Sequence, residues 1–524
     1  MNKYYDYIII GAGSSGAVLA SRLSENPNNK ILLIEAGNTF ERIDQIPGVL
    51  LNGMATGADW TGNLAIGTEF DWQYKAVSNP EFKDMGVPRG RVAGGTSSIN
   101  GQVFLRAIPE DFENWKNGGL EDWSYEECLK YFIKQENDLD FQNEYHGNNG
   151  PIPVKRHSLD SLLVDQMSFY NTVKEMGYKA TEDHNLPYSE GVGPMPLNNS
   201  NGIRWSTGIC YLLPALEREN LDVLSNKTCK KILIENGKQI GLQLYDDEVF
   251  EGKEIIISTG AVESPKLLML SGIGNKSEFE NYNIKHLHQL SGVGQNLRDH
   301  PAVELRWNAD DLLNNDLSDV GAQKVGLRYT SSKSKDRLDM VSVMRFQPKE
   351  MNPDSLHFEK TDFGNTRVAI TTGIFLAKSS GNLSLNKEDH SKYPKINYNY
   401  LSNEYDMERL IEGVKLNFEI ARNSKFDSFR KELIAPLPEA FENDKLLRKW
   451  ILSKVHTMHH ISGTCKMGSI NDEFSVVDKY AKVIGIEGLR IADCSIMPDC
   501  VRANTNATAI MIGEKISDHI KNGD

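Results

Sequence analysis

Two groups of residues carry types and spacings suited to chemistry. Near one end, Gly11, Gly13 and Gly16 have the spacing G-x-G-x-x-G. The first glycine permits a tight turn, the second lets the main chain approach a pyrophosphate, and the third lets a following helix pack closely. Ser14 and Ser15 lie within this turn, and Glu35 follows Gly16 by 19 residues, where an acid can take ribose hydroxyls. This is a dinucleotide site, but the turn does not distinguish NAD from FAD. Toward the other end, His456, His459 and His460 stand at i, i+3, i+4. A neutral histidine takes a proton near physiological pH, and three on one helical face could hold a metal. No ligand-rich partner segment accompanies them, so no metal is expected, and His459 is read as a residue that packs or that supports the site from behind.

The elements that must position these groups are legible in outline. Tyr7–Ile10 reads as a short apolar strand, Ala17–Leu23 has helical spacing, and Ile31–Ile34 reads as a second buried strand. Ile255–Ile257 running into Ser258-Thr259-Gly260, and Leu489–Asp493, look like further parallel strands. Stretches 160–177, 407–421 and 443–454 have apolar residues at helical spacing, whereas 301–400 is richer in alternating and β-branched residues. Glycine-rich pieces therefore sit at the start, middle and end, the pattern of a nucleotide-binding domain interrupted by insertions.

Composition narrows the classes. The chain has 524 residues with 58 Lys plus Arg against 72 Asp plus Glu, a net charge of −14. An acidic surface without a basic run argues against nucleic acid. No apolar stretch reaches the ~20 residues of a membrane span, and no secretory signal is expected from the opening residues. Cys128, Cys210, Cys229, Cys465, Cys494 and Cys500 show no C-x-x-C spacing, so reduced thiols in a cytoplasmic protein are expected.

Further motifs resemble the glucose-methanol-choline (GMC) oxidoreductases. Arg89–Gly101 (RGRVAGGTSSING) resembles the first signature of that family, and Gly260–Leu268 with Ser271–Gly274 resembles the second. Gly292–Pro301 and the stretch from His460 to Met511 are similar to other family segments, the nearest branch being bacterial choline dehydrogenases and oxidases. The resemblance implies an α/β fold, α+β overall, with FAD as cofactor. It implies a discontinuous Rossmann-like FAD domain over 1–155, 207–300 and 455–524. An antiparallel-sheet-plus-helix substrate domain is expected over 156–206 and 301–454. It adds Ala36, Trp72, Arg91, Gly94, Gly95, Ser98, Asn100, Gly101, Val103, Cys229, Ala261, Ala492, Asp493, Thr505 and Asn506 to the cofactor-binding residues. His460, in an H-x-x-G-T motif, becomes the catalytic base and Asn504 its partner.

Two departures stand out. Ile99 occupies the place where some choline oxidases carry the histidine that attaches FAD, so FAD is expected to be non-covalent. Ile461 replaces the usual proline after the catalytic histidine. The implied reaction is oxidation of a primary alcohol to an aldehyde, with the hydroxyl proton going to His460 and hydride to flavin N5. Oxygen or another acceptor then takes the electrons. Choline, aryl or furanic, pyridoxine-like and sugar alcohols are all candidates, and the oligomeric state stays open. Alternatives on the same fold are a non-redox lyase of the hydroxynitrile-lyase type, a light-driven fatty-acid decarboxylase and a non-catalytic binding protein.

Overall fold

Five strands make a parallel sheet whose centre, Ile8–Ile10, Ile31–Ile34 and Ile255–Ile257, is apolar on both faces, as a doubly covered sheet requires. They are β1 (Tyr4–Ile10), β2 (Ile31–Ile34), β3 (Leu221–Leu224), β4 (Val249–Ile257) and β5 (Leu489–Ile491). The computed structural model describes residues 4–53, 65–279, 284–310, 323–347, 367–386, 388–389 and 392–524. In space the strands run β3-β2-β1-β4-β5. The order reverses at β1, and a crevice for a ligand opens at such a switch point beyond the carboxyl ends of the strands.

The register decides what that crevice contains. Ile10 pairs with Ile34 and with Ile257, and Ile257 pairs with Ile491. Four chain segments therefore leave the sheet along one edge, at Gly11, Glu35, Ser258 and Ala492. Helix α1 (Ser14–Leu23) follows β1, α2 (Gly260–Leu270) follows β4, and α3 (Thr505–Asn522) closes the chain. α1 and α3 pack tightly: the Ser15 hydroxyl donates to Ala509 O at 2.7 Å, and Arg22 is paired with the buried Glu514 at 2.7 Å.

A second, antiparallel sheet stands over this edge. Its strands run in the order Arg430–Ala435, Pro301–Ala309, Arg367–Ile374, Met340–Gln347, Val325–Tyr329 and Gly191–Pro194. The helices expected over 160–177, 407–421 and 443–454 span Val164–Glu175, Glu404–Arg422 and Asp444–Lys454. His456–Thr457 is a short strand added beside Pro301–Ala302, not a helix turn. The i, i+3, i+4 spacing of His456, His459 and His460 therefore has no helical meaning. His459 even has a positive φ of 70°. No helix among the described residues is long and apolar enough to cross a membrane.

The segment after Val103 is pinned by a buried charge cluster. Arg106 N donates to Asn185 Oδ1 at 2.9 Å, and Asn185 Nδ2 donates to Phe104 O at 3.1 Å. Arg106 pairs with Glu136, and Arg156 with Asp138 and Asp183 at 2.9 and 2.7 Å. His146 lies between Glu136, Asp138 and Asp183 at 2.8–3.0 Å. Three carboxylates thus meet two guanidinium groups and one imidazole. Glu136, Asp138 and His146 are the one set of metal-ligating side chains brought together among the described residues, yet their charges are already matched. Burial opposes the charge on His146, but its hydrogen bonds to Asp138, Asp183 and Glu136 prevail and push it up to about 10. A raised folded-state value stabilises fully below the ordinary 6.5 and is lost as pH rises through about 10. His146→Leu should therefore cost about 3 kcal/mol at pH 7, the scale of a broken buried pair. Urea denaturation should show the gap to wild type closing as the pH approaches 10.

Candidate active site

The main chain of the glycine turn is packed too closely to admit side chains. Gly11 has φ +94°, and a Cβ there would lie 2.6 Å from Ser258 O. A Cβ on Gly16 would lie 1.9 Å from Gly11 O. Gly13 caps α1 without any side-chain acceptor, so the positive end of the helix is left to whatever fills the space beside it. A second glycine turn stacks on the first. Gly94 N donates to Ala12 O at 2.7 Å, and a Cβ on Gly95 would come within 2.8 Å of Gly13 Cα.

A single cavity runs along these turns. Of the residues expected at the cofactor, Gly11, Gly13, Ser14, Ser15, Glu35, Ala36, Trp72, Gly95, Asn100, Gly101, Val103, Cys229, Ala261, Asp493, Thr505 and Asn506 line it. Gly16, Arg91, Gly94, Ser98 and Ala492 do not; they form its frame. The Ser98 hydroxyl turns back to Ala93 O at 2.7 Å, Ala492 O accepts from Ser258 at 2.9 Å, and the Arg91 guanidinium stacks 5.1 Å from the Trp72 ring. Glu35 accepts from Ala12 N and Gly37 N, both at 2.8 Å. Asp493 accepts from Gly260 N at 2.9 Å and Ser264 at 2.6 Å. Burial raises both carboxyls, against the pull of these bonds.

His460 and Asn504 line the same cavity, 44 positions apart in sequence and in contact in space. Asn504 ends the loop before α3 and makes no capping bond with its side chain. Instead Asn504 Nδ2 lies 3.0 Å from His460 Nε2. On the far side of the ring, His460 Nδ1 is 2.8 Å from His300 Nδ1, and His300 Nε2 is 2.9 Å from Val501 O. A carbonyl oxygen only accepts. His300 therefore carries its proton on Nε2 and offers Nδ1 as an acceptor, so His460 carries its proton on Nδ1. His460 Nε2 is left bare toward the cavity, accepting from Asn504.

The ring's place is fixed by Asp299. Its carboxylate accepts from His460 N at 2.8 Å, from Tyr400 OH at 2.5 Å and from the Thr457 hydroxyl. Burial pushes His300 down to about 3. Burial also holds His460 well below 6.5, helped by His300 and then by the Arg89 guanidinium. Both imidazoles are therefore neutral at pH 7. Such a site can take one proton from a bound hydroxyl.

Two family models, both described as GMC oxidoreductase, match residues 5–302 and 377–513. The chain belongs to the GMC oxidoreductases. The chain is 34% identical to an oxygen-dependent choline dehydrogenase of Photobacterium profundum over 99% of this chain and 93% of the relative. It is 35% identical to the mitochondrial choline dehydrogenase of Mus musculus, covering 99% and 89% of the two chains. In fold it is similar to pyridoxine 4-oxidase from Mesorbium loti, with a TM-score of 0.87, 24% identity and 99% coverage of both chains. A formate oxidase matches with a TM-score of 0.87 at 23% identity, covering 100% of this chain and 99% of the other.

This GMC oxidoreductase is an FAD-dependent enzyme acting on alcohol donors. The cradle fits that cofactor, because an uncapped helix end and side-chain-free turns adjoin one cavity that reaches His460. Sequence reasoning passed over several lining residues. Arg89 opens the first signature, Ser258 and Thr259 precede the second, and Tyr74 donates to Glu263 at 2.7 Å within the same wall. His300 lies inside the Gly292–Pro301 segment, but its partner is 160 residues away, so spacing gives no hint of its role. Gly16→Ala should force α1 away from the turn. The purified variant is expected to carry far less flavin per chain, read as the ratio of absorbance at 450 and 280 nm, about one tenth of wild type or less.

Proposed function

We propose that the protein oxidises a primary alcohol to an aldehyde, with His460 as the base and Asn504 as a hydrogen-bond donor to the substrate oxygen. The observation that carries this reading is the bare Nε2 of His460, held in the cavity that also contains the cofactor cradle. Bound FAD supplies the acceptor for the hydride leaving the carbinol carbon. The choline dehydrogenase relatives support alcohol oxidation as the class of reaction.

The protein's share of the chemistry follows from the hydrogen bonds. An incoming hydroxyl takes over the Asn504 contact and donates to His460 Nε2. As the proton moves, Asn504 Nδ2–H faces the developing oxygen charge, and His300 Nδ1 keeps accepting from the new imidazolium. Water competes poorly, because the His460 side of the site is enclosed. Gly11, Gly13, Ser14, Ser15, Glu35, Ala36, Asn100, Gly101, Val103, Ala261, Asp493, Thr505 and Asn506 would hold the cofactor. The antiparallel sheet would form the wall over the substrate. All six cysteines are unbridged, which supports a reducing, cytoplasmic setting.

A base held well below the ordinary histidine value stays competent throughout the neutral range. The profile of kcat/KM against pH should be flat from pH 7 upward and fall only on an acid limb centred below 6.5. His460→Ala should retain the flavin spectrum and lose about 100- to 10,000-fold in kcat. Anaerobic addition of a substrate alcohol should bleach the flavin of the wild-type enzyme. Turnover without bleaching would instead favour a lyase.

Ile99 lines the cavity and packs into a small apolar cluster with Leu50, Ala65, Phe70 and Val92. It offers no nucleophile to the cofactor. Acid precipitation should therefore release all of the flavin into the supernatant, and flavin fluorescence that stays with the chain on a denaturing gel would contradict non-covalent binding.

A further inference from the structure

The wall of the cavity above His460 comes from the antiparallel sheet, and alternation along its strands sorts the side chains. Val303, Leu305, Ile370 and Thr372 share the face covered by helix Glu404–Arg422, where Gly413 packs against Thr372. The opposite face carries Glu304, Arg306, Ala369, Thr371 and Arg345. Register places Arg306, Ala369 and Arg345 in one row and Glu304, Thr371 and Val343 in the next. His456 joins the row of Ala302 and Gly373. Arg345, Thr371 and His456 all line the cavity.

The charges on this wall are unequal. Glu304 is taken up by Arg306 at 2.9 Å and by the Thr371 hydroxyl at 3.2 Å, and it does not line the cavity. Arg345 has no hydrogen bond or ion pair among the described residues, although its Nε is enclosed. The carboxylates among the described lining residues are engaged elsewhere. Glu35 holds main-chain amides, Asp493 holds Gly260 N and Ser264, and Glu263 holds Tyr74 and Lys266. A guanidinium that lines the cavity without an anion, its Nε enclosed and unpaired, is one that a ligand carboxylate satisfies.

We propose that the alcohol oxidised here carries a carboxylate, which Arg345 binds. The proposal rests on the reading of the cavity as an alcohol-oxidising site. Four residues of strand separate the Arg345 row from the His456 row, about 13 Å at the rise of an extended chain. The carboxylate therefore sits several bonds from the carbinol carbon, at the far end of the substrate. A quaternary ammonium alcohol such as choline would meet a guanidinium there, with no described carboxylate free to receive it.

The test compares 4-(hydroxymethyl)benzoate with its near-isosteric uncharged amide, 4-(hydroxymethyl)benzamide, and with choline, using the FAD-loaded enzyme. The carboxylate should exceed the amide in kcat/KM by about 10- to 100-fold, the worth of a charge-assisted bond, mostly through KM, and choline should be the poorest. In Arg345→Gln the ratio of carboxylate to amide should fall toward one, and Arg345→Lys should restore part of it. Binding of 4-methylbenzoate, followed by perturbation of the flavin spectrum, should weaken by the same factor in Arg345→Gln. Equal turnover of acid and amide, a preference for choline, or an unchanged ratio in Arg345→Gln would overturn the proposal. So would loss of FAD from both Arg345 variants, which would place the guanidinium on the cofactor. If 4-methylbenzoate binds through Arg345 while no alcohol bleaches the flavin, the anion site stands and alcohol oxidation fails. Bleaching by amide and acid alike is the reverse outcome.

Discussion

One hydrogen bond between two buried imidazoles sets the chemistry of this protein. Val501 O can only accept, which fixes the proton on His300 Nε2; His300 Nδ1 can then only accept, which fixes the proton on His460 Nδ1. The result is a neutral base whose free nitrogen faces the cavity. Burial makes the arrangement strict. His300 is fully enclosed and His460 nearly so, and a buried donor left without an acceptor costs about 1–3 kcal/mol. Reversing either tautomer would set two N–H groups, or two lone pairs, against each other.

The fold exists, in functional terms, to bring three distant pieces of chain to that bond. The parallel sheet releases Gly11, Glu35, Ser258 and Ala492 along one edge, which builds the cofactor cradle and starts the run to Asn504. The antiparallel sheet delivers His300 at the start of one strand and Thr457 on a neighbouring short strand. Asp299 ties the two together by accepting from Thr457, Tyr400 and His460 N. The unusual positive φ of His459 belongs to the same turn. It swings the next residue into the cavity, a position that a helix over these residues would not allow.

Local features were legible in the sequence, and long-range ones were not. The strands Ile8–Ile10, Ile31–Ile34 and Ile255–Ile257 are apolar on both faces, and the glycine turn sits at the end of the first, so the dinucleotide turn is legible from pattern alone. His460 and Asn504 came from motif resemblance, and the structure places them 3.0 Å apart. The helical spacing of the histidine triplet carries no meaning here, because spacing in a loop mimics spacing on a helix. A motif records which residues are needed but not which way they point, so it does not separate the frame residues Gly16, Arg91, Gly94, Ser98 and Ala492 from those that line the cavity. His300 and Arg345 escaped because their meaning lies in partners, present or missing, that only tertiary packing defines.

The central claim concerns where two protons reside, so neutron diffraction from crystals exchanged into D2O near pH 7 tests it most directly. The account predicts deuterium on His300 Nε2 and His460 Nδ1, with none on His460 Nε2. Deuterium on His460 Nε2, whether from the other tautomer or from an imidazolium, would contradict it.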